Sequence, residues 1–145
     1  MNIYNNDDIT NDINLAKIIV EHFEFNLDNS IVIAAIDGKQ LISFMMFSKI
    51  DDKYYLTKQK LAGVQVDILH KMMVELHRYM FVNDIRNVHV VISDTTLNKK
   101  YSLYTAMKFT DLTHVDMNMV RDSRFNVFED DWILTFNTDL GDLEW

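Results

Sequence analysis

Residues 31–56, IVIAAIDGKQLISFMMFSKIDDKYYL, decide the fold. Ile31, Val32, Ile33, Ala34, Ala35 and Ile36 form a short apolar run, read with Ser30 as a strand. Asp37-Gly38 follows and is the strongest hairpin-turn signal in the chain. Leu41 to Ile50, rich in Phe and Met, returns as the partner strand. Asp51-Asp52 makes a second turn, and Tyr54 to Lys58 begins a third strand. The three segments read as an antiparallel meander.

Toward the C-terminus, Gly63 breaks the pattern and a long helix follows, roughly Val66 to Phe81. Leu69, Met72, Met73, Leu76 and Met80 form one stripe. Ile68, Val74 and Tyr79 widen it, which predicts a helix covered on more than one side. Val88 to Ser93 reads as a buried strand, so the unit from Tyr54 to Val88 should be a right-handed parallel crossover. Asp94, Thr95 and Thr96 offer N-caps to a helix reaching about Met107. Leu112 to Val120 alternates, placing Val115, Met117 and Met119 on one face of a strand, and Trp132 to Asn137 is the last strand.

Toward the N-terminus, Ile3-Tyr4 suits a short edge strand, and Asn5 to Asp8 supplies caps and negative charge to a helix start. Ile9, Ile13, Ala16, Val20 and Phe23 then recur as one helical face. The order is β-α-β-β-β-α-β-α-β-β. It predicts an α/β (α+β) domain, with a mixed, mostly antiparallel central sheet flanked by helices. One domain over residues 1–145 is expected, with an acidic C-terminal tail at 138–145.

Composition narrows the function classes. The chain has 145 residues, of which 48% are hydrophobic, so wholesale disorder is excluded. It has no cysteine, which excludes disulfides, thiolate metal sites and cysteine nucleophiles. Lys and Arg number 14 against 22 Asp and Glu, a net charge of −8 that lacks a nucleic-acid binder's basic footprint and favours basic ligands. No apolar run is long enough for a membrane span. The polar N-terminus has no signal-like block, so a cytoplasmic location is expected. Proline is absent, where average usage predicts roughly seven. The five histidines form no H-x-x-x-H or H-x-H cluster, so no metal site is expected. Nine methionines, mostly in Met45-Met46, Met72-Met73 and Met117 to Met119, read mainly as core filling, with an adaptable interface as the other option.

Two further stretches carry a family resemblance. Residues 60–73, KLAGVQVDILHKMM, are similar to R/Q-x-x-G-x-G/A at the start of a long helix. Residues 88–109, VHVVISDTTLNKKYSLYTAMKF, are similar to a strand followed by N-x-x-A-x-x-L-Y-x-x-x-G-F. With the element order, these resemble the GNAT superfamily of N-acetyltransferases over nearly the whole chain. In the first motif Lys60 stands for the Arg or Gln, Gly63 is kept, and Gln65 replaces the second small residue. In the second, Leu103-Tyr104 and Phe109 match, Lys108 replaces the Gly, and Leu97 stands where the family has Asn.

The resemblance implies acetyl-CoA as cofactor and a basic amine or lysine as acceptor, with no metal. The pyrophosphate would lie at the turn into the long helix, on backbone N–H groups of Gly63, Val64, Gln65 and Val66, with Lys58 and Lys60 pairing its charge. Asp67 in the first helical turn opposes that charge. Tyr104 takes the role of acid toward the leaving thiolate. Each motif also has a plain structural reading: Tyr104 as a core tyrosine, Gly63 as a sharp turn, the lysines as solvated side chains. The strand from Tyr54 to Gln59 lacks the acid that often serves as base in the family. Glu21 (with Glu24) and His114 (with Asp116) are the candidates for that proton transfer. Glu129-Asp130-Asp131 falls in the loop that borders the acceptor in this fold.

Two functions follow from the resemblance. One is an acetyl-CoA-dependent N-acetyltransferase with an open cleft at the helix start. The other is an inactive GNAT-fold binding or structural protein, such as a phage virion component. That protein would act in a virion or host cytoplasm through protein partners or self-association. Its cleft would be filled by large side chains such as Gln65, Tyr101 and Met107. Neither reading involves nucleic acid or membrane.

Overall fold

The computed structural model describes residues 1–139. The elements are β1 (Asn2–Tyr4), α1 (Asn6–Asn11), α2 (Ile13–Val20), β2 (Ser30–Asp37), β3 (Gln40–Ile50), β4 (Lys53–Lys60), α3 (Val66–Val82), β5 (Asn87–Ile92), α4 (Leu97–Ala106), β6 (Thr110–His114), α5 (Met117–Arg121) and β7 (Trp132–Asn137). The strands form one seven-stranded sheet in the order β1-β2-β3-β4-β5-β7-β6. Every neighbouring pair is antiparallel except β4 and β5. The expected meander and the parallel crossover through α3 are therefore both present. Most of the tail expected at 138–145 lies outside the described residues.

Strand alternation sorts side chains onto two faces. Ile31, Ile33 and Ala35 of β2, with Met45 and Phe47 of β3, face α3 and α4. Val32, Ala34 and Ile36, with Phe44 and Met46, face α1 and α2. Burial on both faces explains why residues 31–36 read as a continuous apolar run. Farther along the sheet, Val88, Val90, Ile92, Leu134 and Phe136 join the α3–α4 core. Tyr55, Val91 and Ile133 face the other way and meet Val115 and Met119. The stripe read on α3 is the buried stripe observed, Leu69, Met72, Met73, Leu76 and Met80.

Four expectations change. The first helix divides at Asp12, whose side chain accepts from the Asn14 N–H and caps α2. The break resets the helical phase, so the buried face is Ile9, Leu15, Ile19 and Phe23, while Ile13 is 70% and Val20 55% exposed. Leu112 to Val120 is not one strand: Asp116 accepts from the Met119 N–H and starts α5. Val115 and Met119 stay buried there, but Met117 turns outward. α3 is covered on one side, with Val74, Phe81 and Val82 exposed. Asp94–Thr96 forms a 3₁₀ turn, and no side-chain cap precedes α4.

Asn6 fastens α1 to the sheet. It is buried, donates to the Ser30 carbonyl at 2.8 Å and accepts from the Val32 N–H at 2.7 Å. Asn5 closes a capping box with Asp8 and also donates to Glu75 of α3 at 2.8 Å.

Candidate functional site

β4 and β5 pair only at Tyr54↔Val88 and Tyr55↔His89, although β4 continues to Lys60 and β5 to Ile92. Just past the paired residues, β4 carries a bulge: Leu56 pairs with Phe47 and Lys58 with Met46, leaving Thr57 unopposed. A bulge bends its strand and raises its twist. Thr57 is held there by its hydroxyl, which lies 2.6 Å from Ser48 Oγ and donates to the Met46 carbonyl at 3.3 Å. The parallel pair thus diverges toward the start of α3.

Gly63 sits in the turn that fills this end, with φ +75. A Cβ there would meet no atom within 4 Å, so the glycine answers a backbone conformation, not a crowded space. Val66 opens α3 after Gln65, whose carbonyl accepts from Ile68 and Leu69 at 3.1 Å each. The N–H groups of Val66 and Asp67 precede the first intrahelical bonds and have no acceptor in the helix. Gln65 and Val66 are exposed and Val64 is half-buried. The turn therefore presents backbone donors to solvent, beside the Asp67 carboxylate.

Tyr104 is 3% exposed, in the core between α4 and the sheet. Its ring meets Phe109 edge-on at 5.7 Å. Among the described residues its hydroxyl has no hydrogen-bond partner. Burial pushes its pKa up to about 12. The end of α4 holds it in place: Lys108 N–H donates to the Thr105 carbonyl and Phe109 N–H to the Tyr104 carbonyl, both at 3.0 Å. That is the Schellman pattern, with Lys108 at φ +69 where the family motif has glycine.

The other candidates are spread apart. Lys58 Nζ lies 3.4 Å from the Glu24 carbonyl and 5.8 Å from the Phe23 ring, on the α2 side of the sheet. Lys60 Nζ lies 3.4 Å from the Leu41 carbonyl. Glu21 is the exposed C-cap of α2. His114 stacks on Trp132 at 3.6 Å, and the Trp132 indole donates to Asp94 at 2.8 Å. Neither Glu21 nor His114 touches Tyr104. Of the acidic loop, Glu129 and Asp130 are exposed. Asp131 is buried, accepting from the Phe128 N–H at 2.9 Å and the Asp94 N–H at 3.1 Å. Asp131 is thus a loop anchor, which its acidic neighbours concealed in the sequence. Of the side chains expected to fill an inactive cleft, only Met107 is buried, while Gln65 and Tyr101 are exposed. Among the described residues, no three His, Asp or Glu side chains are grouped to hold a metal ion, and no helix is long and apolar enough to cross a membrane.

No protein-family profile matches the sequence, and no curated protein matches it. Solved structures do match the fold. An N-acetyltransferase from Staphylococcus aureus Mu50 is 14% identical with a TM-score of 0.58, over 96% of this chain and 99% of that one. The aminoglycoside 6'-N-acetyltransferase from Enterococcus faecium is 13% identical with a TM-score of 0.54, over 95% and 97%. The PaiA N-acetyltransferase from Thermoplasma acidophilum, solved in complex with coenzyme A, is 13% identical with a TM-score of 0.53, over 90% and 70%. The chain has the GNAT fold.

Proposed function

We propose that the protein is an acetyl-CoA-dependent N-acyltransferase acting on a basic amine, such as a polyamine, a lysine side chain or an aminoglycoside. The observation that carries this reading is the Tyr104 hydroxyl: buried, protonated well above neutral pH, and without a partner among the described residues. A buried polar group left unpaired costs about 1–3 kcal/mol, so one kept in a core calls for an explanation. The parallel strands diverging beside the Gly63 turn, with exposed N–H donors at Val66 and Asp67, support the same reading.

Acetyl-CoA would supply the acyl group as an activated thioester. Val66 and Asp67 would hold pyrophosphate oxygens with backbone N–H groups, aided by the positive end of α3 and opposed by the Asp67 carboxylate. Tyr104 Oη would donate its proton toward the sulfur as negative charge develops there. Glu21 and His114 remain the candidates to take the amine proton. The net charge of −8 draws amines toward the domain.

A second reading, a GNAT-fold binding component such as a virion protein, is favoured by one observation. None of the four cavities described at the surface is lined by Tyr104 or by residues 60–67.

Calorimetry with acetyl-CoA, at low and moderate salt, separates the two. The enzyme reading expects micromolar binding that Gly63→Trp abolishes. It also expects Tyr104→Phe to keep binding while lowering turnover about 10²–10⁴-fold in an amine screen. No heat at millimolar cofactor would overturn it.

A further inference from the structure

β4 loses one neighbour before it ends. Its pairing with β5 stops at Tyr55, while its pairing with β3 runs on to Phe44↔Lys60. The last residues of β4 are therefore paired with β3 alone. The residue of β3 just beyond that register is Ser43. It is 0% exposed, the most deeply buried polar side chain among the described residues. Its hydroxyl donates to the Lys60 carbonyl at 2.6 Å.

Where the ladder stops, side chains take over. The Leu61 N–H donates to the Gln59 side-chain carbonyl at 2.9 Å. Leu61, 1% exposed, belongs to the core under α3 and α4. The Val64 N–H then closes the turn on the Leu61 carbonyl at 3.3 Å. Between these points Ala62 and Gly63 are exposed, and a Cβ at Gly63 would meet no atom within 4 Å. The tip of the turn has no packing of its own, so its place is inherited from Lys60 and Leu61. The Lys60 ammonium adds only a longer contact, 3.4 Å from the Leu41 carbonyl.

Ser43 stands in a run of apolar residues, Phe44 to Phe47, where alanine would fill nearly the same space. What serine adds is one donor, aimed at the strand end. A nucleophilic serine needs a base to take its proton. Here the proton goes to a carbonyl, and among the described residues no imidazole or carboxylate bonds the hydroxyl.

We propose that Ser43 is a positioning residue of the candidate cofactor site. Its hydroxyl fixes the end of β4 on β3 and, through Lys60 and Leu61, sets where the Gly63 turn stands beside the gap to β5. What the turn binds rests on the acyltransferase reading; what holds the turn rests on the bond itself.

Ser43→Ala tests this, first without cofactor and then with acetyl-CoA. In the free variant the Lys60 carbonyl ¹³C resonance should move upfield, as on loss of a hydrogen bond. The Leu61 and Val64 amides should exchange about three- to tenfold faster, beyond any change shared with β2 and β5, whose core amides report global unfolding. Calorimetry should show acetyl-CoA binding about three- to tenfold weaker. Ser43→Cys, a weaker donor of similar size, should fall between the wild type and Ser43→Ala in each readout. Unchanged exchange at Leu61 and Val64 overturns the assignment, as does equal affinity of the wild type and Ser43→Ala for acetyl-CoA. No heat even with the wild type overturns the acyltransferase reading, and the role of Ser43 toward the cofactor falls with it.

Discussion

The turn into α3 and the turn out of α4 use the same left-handed backbone, φ +75 at Gly63 and φ +69 at Lys108. Glycine fills the first and lysine the second. Their surroundings explain the difference. At Lys108 two backbone bonds close the helix end, and Phe109, 1% exposed, is pinned against Tyr104 and Phe136. The conformation is over-determined there, so a residue that pays for the left-handed region can be carried. Around Gly63 nothing approaches a would-be Cβ, and the turn is exposed. Glycine reaches that backbone there without strain. At Lys108 the family motif's glycine is therefore dispensable because tertiary contacts hold the shape.

This contrast breaks most sharply at Phe109. Phe109→Ala should cost about 3–5 kcal/mol, by cavity formation and loss of the contact that pins the turn. Denaturant melts read this directly, and a cost under 1 kcal/mol would mean that packing does not hold the α4 end. Gly63→Ala should cost about 1–2 kcal/mol through backbone strain alone, because the new methyl group meets no neighbour. An unchanged melting midpoint would show that the turn relaxes freely. Lys108→Gly should stabilise by up to about 1 kcal/mol, sharpening the contrast, since the packed exit already exists and the left-handed strain is removed. A destabilised variant would show that the Lys108 side chain contributes more than its backbone costs.

The legible parts of the fold share a cause. The α3 stripe and the 31–56 meander were readable because each residue's burial follows from its own element's period. The first helix divides against its pattern because Asp12 offers the chain a cap in mid-run, and periodicity alone does not say whether a cap will be used. Asp116 did the same to the strand expected at Leu112 to Val120. At the candidate site, the spacing of Leu103, Tyr104 and Phe109 places Tyr104 and Phe109 in one buried contact. Adjacent Tyr54 and Tyr55 look equivalent in the sequence, and only the sheet sends them to opposite faces.

The amino-acid pattern by itself determined the strand meander, the parallel crossover and the buried stripe of α3. These depend on local periodicity, turn chemistry and spacing. Only the tertiary structure decided where polar groups end. It buried Asp131 as a loop anchor and tied Lys58 and Lys60 to carbonyls. It left the Tyr104 and Tyr55 hydroxyls without partners among the described residues. Hydrogen bonds and ion pairs are settled by groups far apart in the chain, brought together by packing that no single segment encodes.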